Sequence, residues 1–210
     1  MFTGLVQAVG RIERVEPREG GLRLTVGAAF IDPTSLRPGD SIAVSGCCLT
    51  AVWIEAGRFG VDVSTESLAM TANLDRAGEV NLELALAAGD RIGGHLVSGH
   101  VDGVGTVVDV RQTGDSTELV LRAPTVLAPL LATKGSVTVD GVSLTINRVR
   151  DAAQGCEIAI NLIPHTRQVT TFAHVVPGQR VNLEVDQLAR YVQRILDCRL
   201  ASHESAVTGS

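Results

Sequence analysis

A chain that repeats itself at long range has few folds open to it, and this one repeats four blocks in the same order. SGCCLT at 45–50 returns as DGVSLT at 140–145, with Gly141 falling 95 positions after Gly46. At the same offset SIAV at 41–44 lies over SVTV at 136–139, Val6–Gly10 over Val101–Gly105, and Leu24–Val26 over Leu119–Leu121. VNLE occurs at 80–83 and again at 181–184, an offset of 101, so the second copy carries extra residues between its blocks. A period this long exceeds any solenoid or propeller unit, so each copy must close around its own core. The copies are 1–89 and 90–185, and residues 186–210 stand outside both.

Within a copy, short alternating or Val-rich runs are separated by Gly, Pro, Asp and Asn, the pattern of strands and tight turns. In the first copy these runs are Val6–Val15, Leu22–Val26, Ser41–Val44, Cys48–Ile54, Gly60–Val63 and Val80–Leu84. Six strands in under 100 residues predict an all-β fold: two homologous six-stranded Greek-key barrels in tandem, whose closure removes exposed edges. Short helices are expected at Glu66–Asn73, Pro124–Thr133 and His165–Phe172. The segment 186–205 has no counterpart in the first copy. Its Leu188, Tyr191, Val192, Ile195, Leu196 and Leu200 recur at helical spacing, with polar residues between. An amphipathic helix added to two finished barrels either lies along the second barrel or packs on copies of itself; the pattern favours self-association.

Composition narrows the function. The net charge of −5 has the wrong sign for a phosphate-backbone binder, and six aromatic residues are too few for base-stacking platforms. No apolar run reaches membrane-span length, and the first fifteen residues lack both a basic region and a continuous apolar one. A cytoplasmic protein with no nucleic-acid or membrane partner is expected. Cys47 and Cys48 are adjacent while Cys156 and Cys198 stand alone, which gives no metal-ligand spacing and no disulfide framework. Dinucleotide, Walker, HExxH and GxSxG motifs are absent.

What remains is polar chemistry on strands. Cys48 and Thr50 align with Ser143 and Thr145, and each pair flanks a leucine, Leu49 or Leu144, so both polar groups share one face. Such groups either bond nearby backbone or line a mouth where a polar ligand supplies their partners, and the doubling favours two equivalent pockets. The connector GGHLVSGHVDG at 93–103 places His95, Ser98 and His100 among glycines that let backbone approach a ligand. Their first-copy counterparts are Thr3 for Ser98 and Leu5 for His100. The copies are alike in shape and unequal in chemistry, as a reaction between two like molecules in unlike roles requires.

MFTGLV, SGCCLT, GGHLVSGHVDG, DGVSLT and NLIPHT, in this order and spacing, closely resemble the riboflavin synthases of the α-chain type, over residues 1 to about 200. The resemblance implies a homotrimer assembled through the C-terminal helix, with the active site between the N-terminal barrel of one subunit and the C-terminal barrel of its neighbour. Two molecules of 6,7-dimethyl-8-ribityllumazine would exchange a four-carbon unit there, giving riboflavin and 5-amino-6-ribitylamino-uracil, with no metal or organic cofactor. Lumazine synthase enters as a further candidate partner.

By position, the first lumazine pocket would comprise Gly4, Leu5, Val6, Cys48, Leu49, Thr50, Asp62, Val63, Ser64, Thr65, Glu66 and Ser67. The second would comprise His100, Val101, Asp102, Ser143, Leu144, Thr145, Asn161, Leu162, Ile163, Pro164, His165 and Thr166, with Lys134 at its edge. Phe2 and Thr3 would reach over the site from the N-terminus. Ser67 stands where Thr is usual in such sequences, and His165 where Glu is frequent. The lumazine C7 methyl is acidic because its anion delocalises into the ring, so positioning should outweigh proton transfer: about 7–11 kcal/mol against roughly 10²–10⁴-fold. On this reading His100 shuttles the proton, Ser143 and Thr145 orient one ring, and Cys48 adds transiently to the other ring or polarises bound water. The competing readings are a non-catalytic lumazine- or flavin-binding protein on the same duplicated barrel, and a generic β-barrel interaction module.

Overall fold

The computed structural model describes residues 1–28, 36–152 and 155–208, with side chains described as far as Leu200. Its first barrel is built from β1 (Ala8–Arg18), β2 (Gly21–Gly27), β3 (Ser41–Val44), β4 (Cys47–Glu55), β5 (Arg58–Ser64) and β6 (Gly78–Leu84). The second is built from β7 (Gly103–Thr113), β8 (Ser116–Ala123), β9 (Ser136–Val139), β10 (Val142–Ala152), β11 (Gly155–Leu162) and β12 (Arg180–Val185). Both close, the first in the order β1-β2-β5-β4-β3-β6 and the second in the matching order. The all-β tandem-barrel expectation is borne out.

The duplication extends to backbone irregularities. Bulges fall between Ile12 and Arg14 on β1 and between Ala51 and Trp53 on β4. Their copies fall 95 positions on, between Val107 and Asp109 and between Ile146 and Arg148. A bulge bends a strand and increases its twist, which a six-stranded sheet needs in order to close. Each barrel has its own core: Ile12, Leu24, Val44, Leu49, Phe59 and Val61 are among the residues filling the first, and Val107, Leu119, Val139, Ile146, Ile158 and Phe172 among those filling the second.

Three local differences from the sequence reading have physical causes. The first strand begins at Ala8 rather than Val6, because residues 2–5 leave the barrel to pair elsewhere. The helix expected over 124–133 is a 3-10 helix, Thr125–Leu130, with Pro129 inside it; proline removes a donor and keeps the turn short. The stretch expected as one helix over 165–172 divides into α2 (Pro164–Val169) and a 3-10 turn at Thr171–His174, just as α1 (Thr65–Met70) ends early in the first copy. The C-terminal helix α3 runs from Gln187 to Thr208. Residues 209–210 of the expected tail lie outside the described residues.

The barrels meet across a pseudo-twofold seam made of their β3–β4 and β9–β10 hairpins. Both turns have positive φ at each central residue, 44° and 83° at Ser45-Gly46 and 47° and 79° at Asp140-Gly141, as two-residue hairpin turns prefer. The glycines also touch: a Cβ on Gly46 would lie 2.8 Å from the Gly141 nitrogen, and one on Gly141 equally close to the Gly46 nitrogen. The asparagines of the two VNLE blocks staple the seam. Asn182 donates to the Ser45 carbonyl at 2.9 Å and accepts from the Ala72 amide at 2.6 Å. Asn81 donates to the Asp140 carbonyl and accepts from the Thr171 amide, both at 2.9 Å. Four buried polar groups are thereby satisfied across the junction, which fixes the barrels' mutual orientation.

Candidate active site

Two arms precede the barrels, residues 2–7 and 97–102, and they pair with each other. Phe2 donates to the Val97 carbonyl at 2.8 Å and Val97 returns the bond at 3.1 Å. Beyond that bridge each arm crosses to the other barrel. The Gly4 carbonyl accepts from the Ser143 amide at 2.7 Å, and the Gly99 carbonyl from the Cys48 amide at 2.8 Å. Val6 then packs on the second barrel's core and Val101 on the first's.

The exchange corrects the grouping that the resemblance implied, which kept Gly4–Val6 with Cys48–Thr50 and His100–Asp102 with Ser143–Thr145. The structure seats the His100 arm beside Cys48 and the Leu5 arm beside Ser143. The fit is close: a Cβ on Gly99 would lie 2.6 Å from the Cys48 Cβ, and one on Gly4 would lie 2.6 Å from the Ser143 Cβ.

The polar pairs face outward as the alternation predicts. Leu49 is buried in the first core and Leu144 packs on the second, while Cys48 and Ser143 are half-buried at the seam. Thr50 and Thr145 are exposed, opposite Ser41 and Ser136 in their hairpins. Cys47 points inward, and burial pushes its thiol up to about 12, so the outward Cys48 is the cysteine placed to meet a ligand. Phe2 is fully buried against Ala43, Val97 and Cys48, so it forms the floor beside Cys48 and does not swing over it.

His100 is exposed. His95, singled out in the connector but left out of the residues implied by the resemblance, bonds the Ser143 hydroxyl through Nδ1 at 2.8 Å. Burial lowers its pKa, with nearby Asp186 pulling the other way, so the imidazole is held toward its neutral form. No local signal in the sequence reveals this pair, because its members are 48 positions apart.

Along the rest of each site the copies differ. Asp62 takes a bidentate ion pair from Arg23, with both distances 2.6 Å, and that hydrogen bond holds its carboxyl below the ordinary range. Ser64 caps α1, accepting from the Ser67 amide at 3.1 Å, with Thr65 and Glu66 exposed beside it. In the second copy Asn161 donates to Ser116 at 3.0 Å, and Ile163, Pro164 and His165 are exposed. Thr166 is half-buried, its carbonyl accepting from Thr170. Val63 and Leu162 are buried in the cores and offer an outside ligand their backbone alone. Lys134 is exposed at a turn with φ 68°. Asp102 is turned inward, accepting from the Val185 amide at 2.8 Å and from Arg190 of α3 at 2.9 Å. A cavity of about 240 Å³ opens beside the second stretch, bounded by Thr117, Pro164 and Arg167 among others. Among the described residues no cluster of His, Cys, Asp and Glu could hold a metal ion, and no helix is long and apolar enough to cross a membrane.

Comparison with known proteins agrees with this duplicated architecture. The lumazine binding domain family matches twice, over residues 3–85 and 98–186. The riboflavin synthase of Photobacterium phosphoreum is 43% identical over 198 residues, covering 93% of this chain and 89% of that protein. The Brucella abortus enzyme is 42% identical over 202 residues (93% and 98%), and that of Mycobacterium tuberculosis 41% over 200 (93% and 98%). Among solved structures, LumP complexed with 6,7-dimethyl-8-(1'-D-ribityl) lumazine is similar with a TM-score of 0.77 at 25% identity, covering 88% of this chain and 99% of that one. With a lumazine-binding domain in each half and this likeness running almost end to end, the chain belongs to the riboflavin synthase family.

Proposed function

We infer that this chain is a riboflavin synthase, which moves a four-carbon unit from one 6,7-dimethyl-8-ribityllumazine to a second. The observation that carries the reading is the likeness to riboflavin synthases over 93% of the chain. The products, riboflavin and 5-amino-6-ribitylamino-uracil, together contain every atom of the two substrates, so the transfer needs neither oxidant nor reductant.

The geometry suits such a dismutation. Two like ligands need two like cups, and the outward pairs Cys48/Thr50 and Ser143/Thr145 sit at equivalent places on the two barrels. They also need unequal treatment, and the exchanged arms supply it: His100 stands beside Cys48, while Leu5 stands beside Ser143. Holding the rings in register supplies the larger part of the rate enhancement, and His100 moves the methyl proton. Cys48 adds to one ring or polarises a water there. His95 keeps the Ser143 hydroxyl oriented toward the other.

A homotrimer is part of this proposal. Leu188, Tyr191, Val192, Ile195, Leu196 and Leu200 of α3 are 47–68% exposed in the single chain, an apolar face that a second copy of the helix would cover. It would bring the N-terminal barrel of one subunit to the C-terminal barrel of the next.

The test is direct. Mixed with the lumazine and no added cofactor, the protein should generate flavin absorbance while the lumazine band decays. A lumazine spectrum that shifts on binding and then persists would establish the non-catalytic binder instead.

A further inference from the structure

The doubled VNLE block does more than mark the repeat. Its two glutamates, Glu83 and Glu184, are buried, and each grips the arm of its own copy through both carboxylate oxygens. Glu83 accepts from the Thr3 amide and hydroxyl, both at 2.7 Å, and from the Gly4 amide at 3.0 Å. Glu184 accepts from the Ser98 amide at 2.7 Å and the Gly99 amide at 2.9 Å. Two successive amides on one carboxylate fix both the position and the rotation of an arm.

Both grips take two successive amides, with the Thr3 hydroxyl added in the first copy, and their surroundings differ. Where Gln7 accepts from the Leu84 amide at 3.0 Å in the first copy, the second has Asp102, which accepts from Val185 and is paired with Arg190 of α3. The first copy has no helix in that place. The buried Glu184 carboxylate therefore lies near the half-buried Asp102 and a partly exposed cation borne by the C-terminal helix.

We propose that Glu184 is a positioning residue for the transfer reaction, holding Ser98–His100 against Cys48, and that Arg190 makes this grip depend on helix α3 while the Glu83 grip does not. The inference rests on the synthase reading above. A protonated carboxyl turns one acceptor into a donor facing an amide N–H, so one of the two bonds to the arm is lost. Burial pushes Glu184 up to about 7, opposed by the Ser98 and Gly99 amides; Asp102 pushes it further up and Arg190 pulls it down. The other ionisable neighbours are the Cys47 thiol, neutral at this pH, and His100, which acts on Asp102. Acid should therefore loosen the His100 arm, and loss of Arg190 should make it loosen at higher pH.

The experiment measures kcat and KM for the lumazine between about pH 5.5 and 9 on the full-length wild type and on Glu184→Gln, Arg190→Gln and Glu83→Gln. Thermal unfolding and sedimentation accompany each variant. Glu184→Gln keeps the size of the side chain but loses one acceptor; it should lower kcat about tenfold or more at alkaline pH, change KM less than about threefold, and flatten the acid limb of kcat. Arg190→Gln should move that limb to higher pH, both in the wild-type background and in Glu83→Gln. The inference is overturned if Glu184→Gln turns over within about twofold of wild type, if its loss of kcat follows only the fraction folded or assembled, or if Arg190→Gln leaves the limb in place. Should Glu184→Gln fail to fold, the Arg190→Gln limb decides alone. A wild type that makes no flavin would instead refute the synthase reading, a separate result visible in the same assay.

Discussion

The two barrels agree in what the backbone must do and differ in what side chains offer. Bulges, hairpin turns, asparagine staples and glutamate grips recur at matching positions, because each answers a demand of the closed sheet or of the seam. The differences lie where no such demand exists. Leu22 and Leu68, packed on the first core, become Thr117 and Arg167 in the second, joined by a 3.0 Å hydrogen bond beside the 240 Å³ cavity. The Arg23–Asp62 ion pair gives way to Glu118 opposite Asn161, whose amide donates to Ser116 instead, and Leu5 gives way to His100. Duplication thus kept a frame and left the faces free, so the two copies present unlike surroundings at equivalent places. The frame itself is also asymmetric at the seam, where Ser45 in the first turn is Asp140 in the second.

That point offers the largest effect. Asp140 is buried and accepts from the Asn182 amide at 2.8 Å. Burial pushes its pKa up to about 7, against the pull of that amide. A folded-state pKa above the unfolded value means that the folded form holds the proton more tightly. Its contribution is then full below the unfolded pKa near 3.8 and is lost as pH rises through about 7. At 1.36 kcal/mol per unit the loss is at most about 4 kcal/mol. Asn keeps the acceptor and tolerates the positive φ, so Asp140→Asn should be more stable than wild type at pH 8 by a few kcal/mol and no more stable at pH 4. Denaturant unfolding at the two pH values measures this. Ser45→Asn, which puts the same residue in the other turn without removing a carboxyl, should show no such dependence; if both behave alike, the barrels are equal here and the comparison fails.

The glycine contact should respond symmetrically. Gly46→Ala and Gly141→Ala each place a methyl against the opposite backbone at positive φ, and each should cost on the order of 3 kcal/mol. In the double variant the cost should fall short of the sum, since the first methyl has already parted the turns. Chemical denaturation of the three proteins reads both points. A large cost at one glycine alone would show that the seam is not the pseudo-twofold contact described.

How much of this was legible beforehand depends on distance along the chain. The barrels were, because alternation, Val-rich runs and turn residues are local signals, and the repeat doubled each of them. The outward face of Cys48, Thr50, Ser143 and Thr145 followed from period-2 geometry alone. The exchange of arms was not legible: Gly4 meets equally suitable strands on either barrel, and nothing local says which it takes. It is fixed by contacts far apart in sequence: the Phe2–Val97 bridge and the bonds of Gly4 to Ser143 and of Gly99 to Cys48. The same holds for His95 with Ser143 and for Glu184 with Asp102 and Arg190. VNLE was visible as a marker, but its work is done on residues about 80 positions away.

The smallest expected effect lies at the helices that open each site's loop. α1 begins with Ser64, whose hydroxyl takes up the Ser67 amide; α2 begins after Ile163, which has no acceptor to offer, and places Pro164 in its first turn. Proline has no N–H, so it removes one of the orphan donors that a cap would otherwise satisfy. The two copies thus solve one problem in two ways, and they should respond differently to the same chemistry. Ser64→Ala leaves the Ser67 amide without its side-chain acceptor and should cost about 1 kcal/mol. Ile163→Ser adds an acceptor where one donor is already missing and should gain no more than about 0.5 kcal/mol. Urea midpoints at constant slope would resolve both. Equal and opposite changes would mean that Pro164 contributes nothing to opening α2, and that the two copies differ there in residue type without differing in physics.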